Sequence, residues 1–284
     1  MKPQTTEWTG CYEGGWQYLI VPEAFAHPAK FSYKLTERMI AHAISKGWVR
    51  PGGVVVDPFG GIGCGGIVAA YSDLVWVGCE LEQKFVDLGK QNFELHRRKW
   101  EKLGSPMPTI LHGDSRKLSE VIERADIVVS SPPYAEGLGH GGQPTRGEGR
   151  TDDTNLDAMQ NGYGQTPGNL GNNSGPTFWQ AAREIVSECH KILRPGGHAI
   201  WVVKDFVRKG ERVDFCGDWE RLCESVGFKT VCKHRAMLVK ETNHNGLFGE
   251  IKEKKERKSF FRRLAEKKGS PRIDWEMVIC MERP

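Results

Sequence analysis

At 284 residues the chain can bury a full core, and it suits one large domain or one domain with a small appendage. Hydrophobic residues make up 38% of it, no stretch approaches the roughly eighteen apolar residues of a membrane span, and the N-terminus lacks a signal-peptide layout. A soluble, intracellular α/β protein without a membrane partner is expected. The net charge of +4 is too mild to name a polyanionic partner. Eight cysteines include no Cys-x-x-Cys pair, which argues against a zinc ribbon, an iron–sulfur cluster or a redox dithiol. They are expected to be structural thiols, and no metal is expected.

The first thirty residues are rich in aromatics (Trp8, Tyr12, Trp16, Tyr18, Phe25) without a period, and read as an ordered lead-in covering part of the core. Residues 35–45 have helical spacing and end before Gly47. Residues 54–56 form a β-branched strand after a Pro-Gly-Gly turn. Residues 60–66 form a loop opening a small-residue helix through Ala70. The second strand spans 75–79 and ends at Glu80; a helix carrying Phe85, Leu88 and Phe93 follows. The third strand spans 109–111, residues 118–124 read as a helix, and 126–130 form the fourth strand. Residues 135–176, rich in Gly, Asn, Thr and Gln, break the pattern and read as a lid, a binding loop or a disordered segment. A helix over 179–192, a turn at 194–197 and a fifth strand over 198–203 resume it. A helix at 219–226 and late strands at 229–232 and 275–281 complete it. Strands that are apolar throughout and alternate with helices predict a doubly wound, mostly parallel, Rossmann-like sheet of seven strands.

The segment Gly61-Ile62-Gly63-Cys64-Gly65-Gly66 satisfies G-x-G-x-x-G between a strand and a helix. Alone it fits a dinucleotide site or a tight packing turn equally well. Two carboxylates sharpen it. Glu80 closes the second strand, where it can accept hydrogen bonds from both hydroxyls of a ribose, and Asp114-Ser115 follow the third, within reach of an adenine amino group. With Asp57, these acids fall in register along the carboxyl edge of the sheet, although each alone could be a surface acid or a helix cap.

Ser131-Pro132-Pro133-Tyr134 ends the fourth strand. Its prolines stop the ladder and stiffen the backbone. An exocyclic amine on a base is a poor nucleophile, because its lone pair is delocalised into the ring. Holding both N–H bonds, through the Ser131 hydroxyl and the Pro132 carbonyl, favours a pyramidal nitrogen aimed at a sulfonium methyl, with positioning and electrostatics supplying most of the catalysis. Tyr134 offers a face for stacking on a flipped base. A plain turn is the simpler alternative.

Asp57-Pro58-Phe59-Gly60-Gly61-Ile62-Gly63 together with Ser131-Pro132-Pro133-Tyr134 resembles the amino-methyltransferases of DNA, which modify N6 of adenine or N4 of cytosine. His27-Pro28-Ala29-Lys30-Phe31 looks like that family's motif preceding the cofactor loop. The resemblance covers roughly residues 26–205. It implies a fold for S-adenosyl-L-methionine, with His27, Lys30, Asp57, Phe59, Gly61 and Gly63 near the methionine end, Glu80 on the ribose, and Asp114 and Ser115 on the adenine. It also implies Ser131, Pro132, Pro133 and Tyr134 as the catalytic tetrad, DNA as partner, and a cytoplasmic enzyme of prokaryotic or phage type; a homodimer is allowed. Serine at the head of the tetrad tilts the target towards cytosine N4.

No large block serves as a target-recognition domain, so that task falls to residues 135–176 and 237–274. Residues 252–268 carry nine lysines and arginines against three glutamates. As a helix they could turn an apolar face to the core and offer Lys254, Lys255, Lys258, Arg262 and Arg263 to phosphates, or they could form a solvated charged helix. Rival readings are an RNA base methyltransferase such as one acting on guanine N2 of transfer RNA, a nicotinamide-dependent oxidoreductase, and a non-catalytic DNA-binding relative. Cytosine C5 methylation is disfavoured, because that family's Pro-Cys nucleophile is missing.

Overall fold

The computed structural model describes residues 5–27, 30–133, 164, 166–172, 175–208, 210–246, 249–256 and 271–284. Five parallel strands build the heart of its sheet: β2 (Val54–Asp57), β3 (Val75–Glu80), β4 (Thr109–His112), β5 (Ala125–Ser130) and β6 (Leu193–Val203). Three more extend it: β1 (Thr5–Trp8), β9 (Lys229–Met237) and β12 (Trp275–Glu282). The eight strands run in the order β1-β9-β12-β6-β5-β2-β3-β4. Only β12 is antiparallel to its neighbours, β6 and β9.

Successive strand residues fall alternately into two apolar layers, which is why the sequence shows unbroken apolar runs rather than alternation. Val55, Ile127, Ile200 and Val278 pack under α1 (Tyr33–Ser45), α2 (Cys64–Ala70) and α3 (Gln83–Leu103). Val56, Val128, Trp201 and Ile279 pack on the opposite face, under α4 (Gly175–Ile192) and α5 (Phe215–Val226). Chain order reverses at β2, between β3 and β5, and a ligand crevice is expected at the carboxyl ends beside such a switch point.

The sheet has eight strands where seven were expected. The extra one, β1, lies in the lead-in, and only Trp8 of its four residues is buried, so it carries no apolar signal. The turn expected at 194–197 lies within β6: Gly196 adopts φ +72, its N–H donates to the Arg283 carbonyl, and the Arg283 N–H donates to Gly197. In place of a helix at 118–124 there is a 3₁₀ turn, Ser115–Glu120, nucleated because Asp114 accepts a hydrogen bond from the Arg116 N–H. The start of the helix expected at 252–268 is strand instead: β11 (Gly249–Glu256) pairs antiparallel with β10 (Val239–Gly246). Residues 257–270 lie outside the described residues. A further ribbon joins β7 (Phe206–Arg208) to β8 (Glu211–Val213).

Candidate active site

The glycine loop after β2 is held from three sides. Asp57, buried at 2% exposure, accepts hydrogen bonds from the Ser130 hydroxyl at 2.5 Å and the Phe59 N–H at 2.9 Å. Burial raises its carboxyl to about 6 against those two hydrogen bonds. Gly60 donates to the Cys79 carbonyl of β3 at 2.9 Å. Asn92 of α3, fully buried, donates from its amide to the Ile62 carbonyl and accepts from the Val21 N–H of the lead-in, at 2.9 and 2.8 Å. Gly61 and Gly63 both have positive φ, +53 and +76, a conformation glycine adopts without strain.

Glu80 at the end of β3 makes the key contact of the loop. One carboxylate oxygen accepts the Gly61 N–H at 2.9 Å and the other the Glu82 N–H at 2.8 Å. Burial raises this carboxyl to about 7, more than the two backbone hydrogen bonds lower it. Each oxygen keeps a further acceptor direction for a ligand hydroxyl.

Asp114, after β4, caps the 3₁₀ turn and takes a forked ion pair from Arg116, with Nη2 at 2.5 Å. Burial alone would raise its pKa; the Arg116 hydrogen bonds and charge outweigh it, and the carboxyl stays below its usual range. Ser115 donates its hydroxyl to the Pro58 carbonyl at 2.6 Å.

These groups line one cleft of about 740 Å³, inside the range of roughly 300–1,000 Å³ for small-molecule sites. His27, Lys30, Phe59, Gly61, Glu80, Asp114, Ser115, Ser131, Pro132 and Pro133 all reach it. Asp57 stands behind it, on a small adjoining pocket that Lys30 and Gly61 also line. Gly63 does not reach it; this glycine caps α2, and a methyl group there would come within 2.5 Å of the Phe93 ring. Lys30 ties the lead-in together, donating to the Phe25 carbonyl at 2.8 Å and the His27 carbonyl at 2.5 Å, and burial lowers its pKa. His27 meets the Phe85 ring edge-on at 4.3 Å.

On the far wall, the Ser131 hydroxyl donates to the Val202 carbonyl of β6 at 2.9 Å. Its proton is thereby committed, and the oxygen is turned into an acceptor for an incoming N–H. Pro132 and Pro133 have no N–H of their own, so this rim offers carbonyls. Tyr134 lies outside the described residues, as do Lys258, Arg262 and Arg263. Lys254 and Lys255 sit on β11.

Several residues in or beside the cleft escaped the sequence reading. Glu82, buried at 7% exposure, accepts from the Thr166 N–H and hydroxyl and from the Asn169 amide, at 3.0, 2.9 and 2.8 Å. The tail of the segment expected to be a loop is therefore pinned beside Glu80, and Asn169 and Leu170 line the cleft. Tyr12 and Trp16 of the lead-in also line it; Tyr12 donates to Glu276 of β12 at 2.5 Å and Trp16 to the Phe31 carbonyl at 2.6 Å. The aromatic crowding of the lead-in was the available signal for this pair.

Residues 4–91 match the DNA methylase family (N6_N4_Mtase). The orphan methyltransferase M.BamHII of Bacillus amyloliquefaciens is 31% identical over 90 residues, which is 31% of this chain and 32% of that protein. The match thus spans about a third of the relative's length. Among solved structures, TrmN from Thermus thermophilus superposes with a TM-score of 0.50 at 15% identity, over 95% of this chain and 53% of its own, a likeness of fold. Among the described residues no helix is long and apolar enough to cross a membrane. Residues 4–91, which hold the His27–Phe31 and Asp57–Gly63 motifs but not Ser131–Tyr134, thus match the DNA methylase family, and the chain carries the Rossmann-like α/β sheet which that resemblance implies.

Proposed function

We propose that this chain is a methyltransferase that uses S-adenosyl-L-methionine to methylate the exocyclic amino group of a DNA base, N4 of cytosine or N6 of adenine, at specific sites. The observation that carries the reading is the cleft that Gly61, Glu80 and Asp114 line together with Ser131, Pro132 and Pro133. One end has the donors and carboxylates that suit an adenosine, and the other the acceptors that suit an amine.

The cofactor supplies the methyl group as a sulfonium. Glu80 accepts the ribose hydroxyls, Asp114 and Ser115 face the adenine, and His27, Lys30, Phe59 and the Gly61 turn enclose the methionine end. Asp57 acts from behind, holding the loop in register through Ser130 and Phe59. The Ser131 oxygen and the Pro132 carbonyl accept the two amine hydrogens, so the nitrogen lone pair points along the line of transfer. Tyr134 stacks on the base, which leaves the duplex to reach the site. The basic residues Lys254, Lys255, Lys258, Arg262 and Arg263 lie along the DNA phosphates. Residues 1–284 act as one catalytic domain, with 135–176 as its active-site and target loop and 237–274 as a small recognition element. Serine at the head of the tetrad favours cytosine N4.

The test is direct: incubate the protein with cofactor and unmethylated DNA, digest to nucleosides and weigh the products. N4-methylcytidine or N6-methyladenosine in the deoxy series supports the reading. Methylated nucleosides from RNA but not from DNA would refute it.

A further inference from the structure

Away from the cleft, beneath α1, four ligand-type side chains converge. His42 projects from α1, Cys232 and His234 from β9, and Cys280 from β12. One nitrogen or sulfur from each lies within 4.8 Å of all the others. Strand geometry explains the meeting. Residues two apart in a strand share a face, which puts Cys232 beside His234, and the antiparallel register sets Cys280 directly opposite Cys232.

We propose that His42, Cys232, His234 and Cys280 form a structural zinc site. Tetrahedral Zn²⁺ with bonds of about 2.3 Å to sulfur and about 2.0–2.1 Å to nitrogen spaces its S and N ligands about 3.6 Å apart. The Cys232 Sγ lies 3.7 Å from His42 Nε2 and 3.4 Å from His234 Nε2. An outer partner is already in place: the Thr6 hydroxyl of β1 is 2.6 Å from His234 Nδ1, orienting that ring so that Nε2 faces the cluster, as metal-bound imidazoles require. The Trp8 ring stacks on His234 at 4.1 Å, shielding it from water.

Two thiolates and two neutral imidazoles around Zn²⁺ sum to zero charge. That suits a site where Cys280 is fully buried and His234 nearly so, since an unbalanced charge there would be costly. Binding releases the two thiol protons to solvent and involves no electron transfer. The mixed sulfur–nitrogen set favours zinc over the oxygen-seeking Mg²⁺ and Ca²⁺, and four ligand atoms within 4.8 Å of one another suit a single ion rather than a two-iron cluster held by two cysteines and two histidines. Two of the eight cysteines expected to be bystanders thus acquire a role. The site ties α1 to β9 and β12 and holds, through Thr6 and Trp8, the lead-in whose Tyr12 and Trp16 wall the catalytic cleft.

The full chain, expressed with zinc and purified under reducing conditions, is expected to hold one zinc per chain by elemental mass spectrometry. Cobalt(II) exchanged into it should show tetrahedral ligand-field bands with thiolate charge transfer. Cys232→Ser and His42→Ala should each reduce zinc to a small fraction of one equivalent, while Cys189→Ser, a buried cysteine outside the cluster, retains it. His42 is only partly buried, so its variant keeps the measurement informative if Cys232→Ser does not fold. The proposal is overturned by a reconstituted wild type without zinc, by zinc retained in a folded His42→Ala variant, or by a Cys232–Cys280 disulfide found by peptide mapping.

Discussion

If Glu80 receives the ribose hydroxyls of the cofactor, affinity should depend on pH in a way set by its environment. The free protein raises this carboxyl to about 7 because it is buried, whereas two ribose O–H donors require the ionised form. At pH 6 a group with that pKa is roughly a tenth ionised, and at pH 8 roughly nine-tenths. The dissociation constant for S-adenosylhomocysteine should therefore tighten about tenfold from pH 6 to pH 8 and then level off. Binding at pH 7 should release a fraction of a proton, read by titration calorimetry in buffers of different ionisation enthalpy. Glu80→Gln removes both the charge and the titration. Its amide nitrogen also confronts one of the two N–H groups, Gly61 or Glu82, that now donate to the carboxylate. Losing charge-assisted hydrogen bonds worth about 1.5–3 kcal/mol each should weaken binding about 10- to 100-fold or more and flatten the profile. A wild-type profile flat over this range, or the same slope surviving in Glu80→Gln, would refute the assignment.

Ser131→Ala should lower kcat roughly 10- to 100-fold by removing one acceptor of the target amine, with cofactor affinity by calorimetry unchanged; a parallel loss of cofactor binding would assign the turn another role. Asp57→Ala leaves the Ser130 hydroxyl and the Phe59 N–H buried without their acceptor and should cost about 2–4 kcal/mol in urea unfolding. Because the folded-state pKa of Asp57 is raised from 3.8 to about 6, its contribution to stability is full below pH 3.8 and is lost as pH rises through about 6; Asp57→Asn should remove that part of the slope. Asn92→Leu should lower the melting temperature by several degrees, since it unties both the lead-in and the glycine loop. Glu82→Ala should speed amide hydrogen exchange at Thr166 and Asn169, with β2 and β3 unaffected as an internal control.

Most of the sheet could be read from the chain because its strands are buried on both faces and its helices carry plain apolar stripes. What escaped has a common physical cause, the lack of a burial signature. β1 buries one residue in four, and β10 and β11 pair through polar sequence. In the site, the motif residues were legible because they sit at strand ends, where the chain changes composition. Gly63 was assigned to the cofactor on its place in the pattern, yet its hydrogen faces Phe93. Glu82 was passed over because its partners, Thr166 and Asn169, are more than eighty positions away. The His42–Cys280 cluster was invisible for the same reason: spacing rules for metal sites assume ligands on one hairpin, and these come from three elements.

The place of β12 between β6 and β9 has a consequence for how this chain comes to its shape. Neither β9 nor β1 pairs with the parallel strands β2 to β6 except through that late strand, so as the polypeptide emerges from the ribosome the block from β2 to β6 can assemble while one edge stays unpaired. Thr5 meets Lys233 only after some two hundred intervening residues have been made, and closing so distant a contact is slow. The open flank of β6 is meanwhile a template for any stray strand. Chaperone dependence during synthesis, and aggregation of fragments cut short of residue 275, would be the cellular marks of this topology.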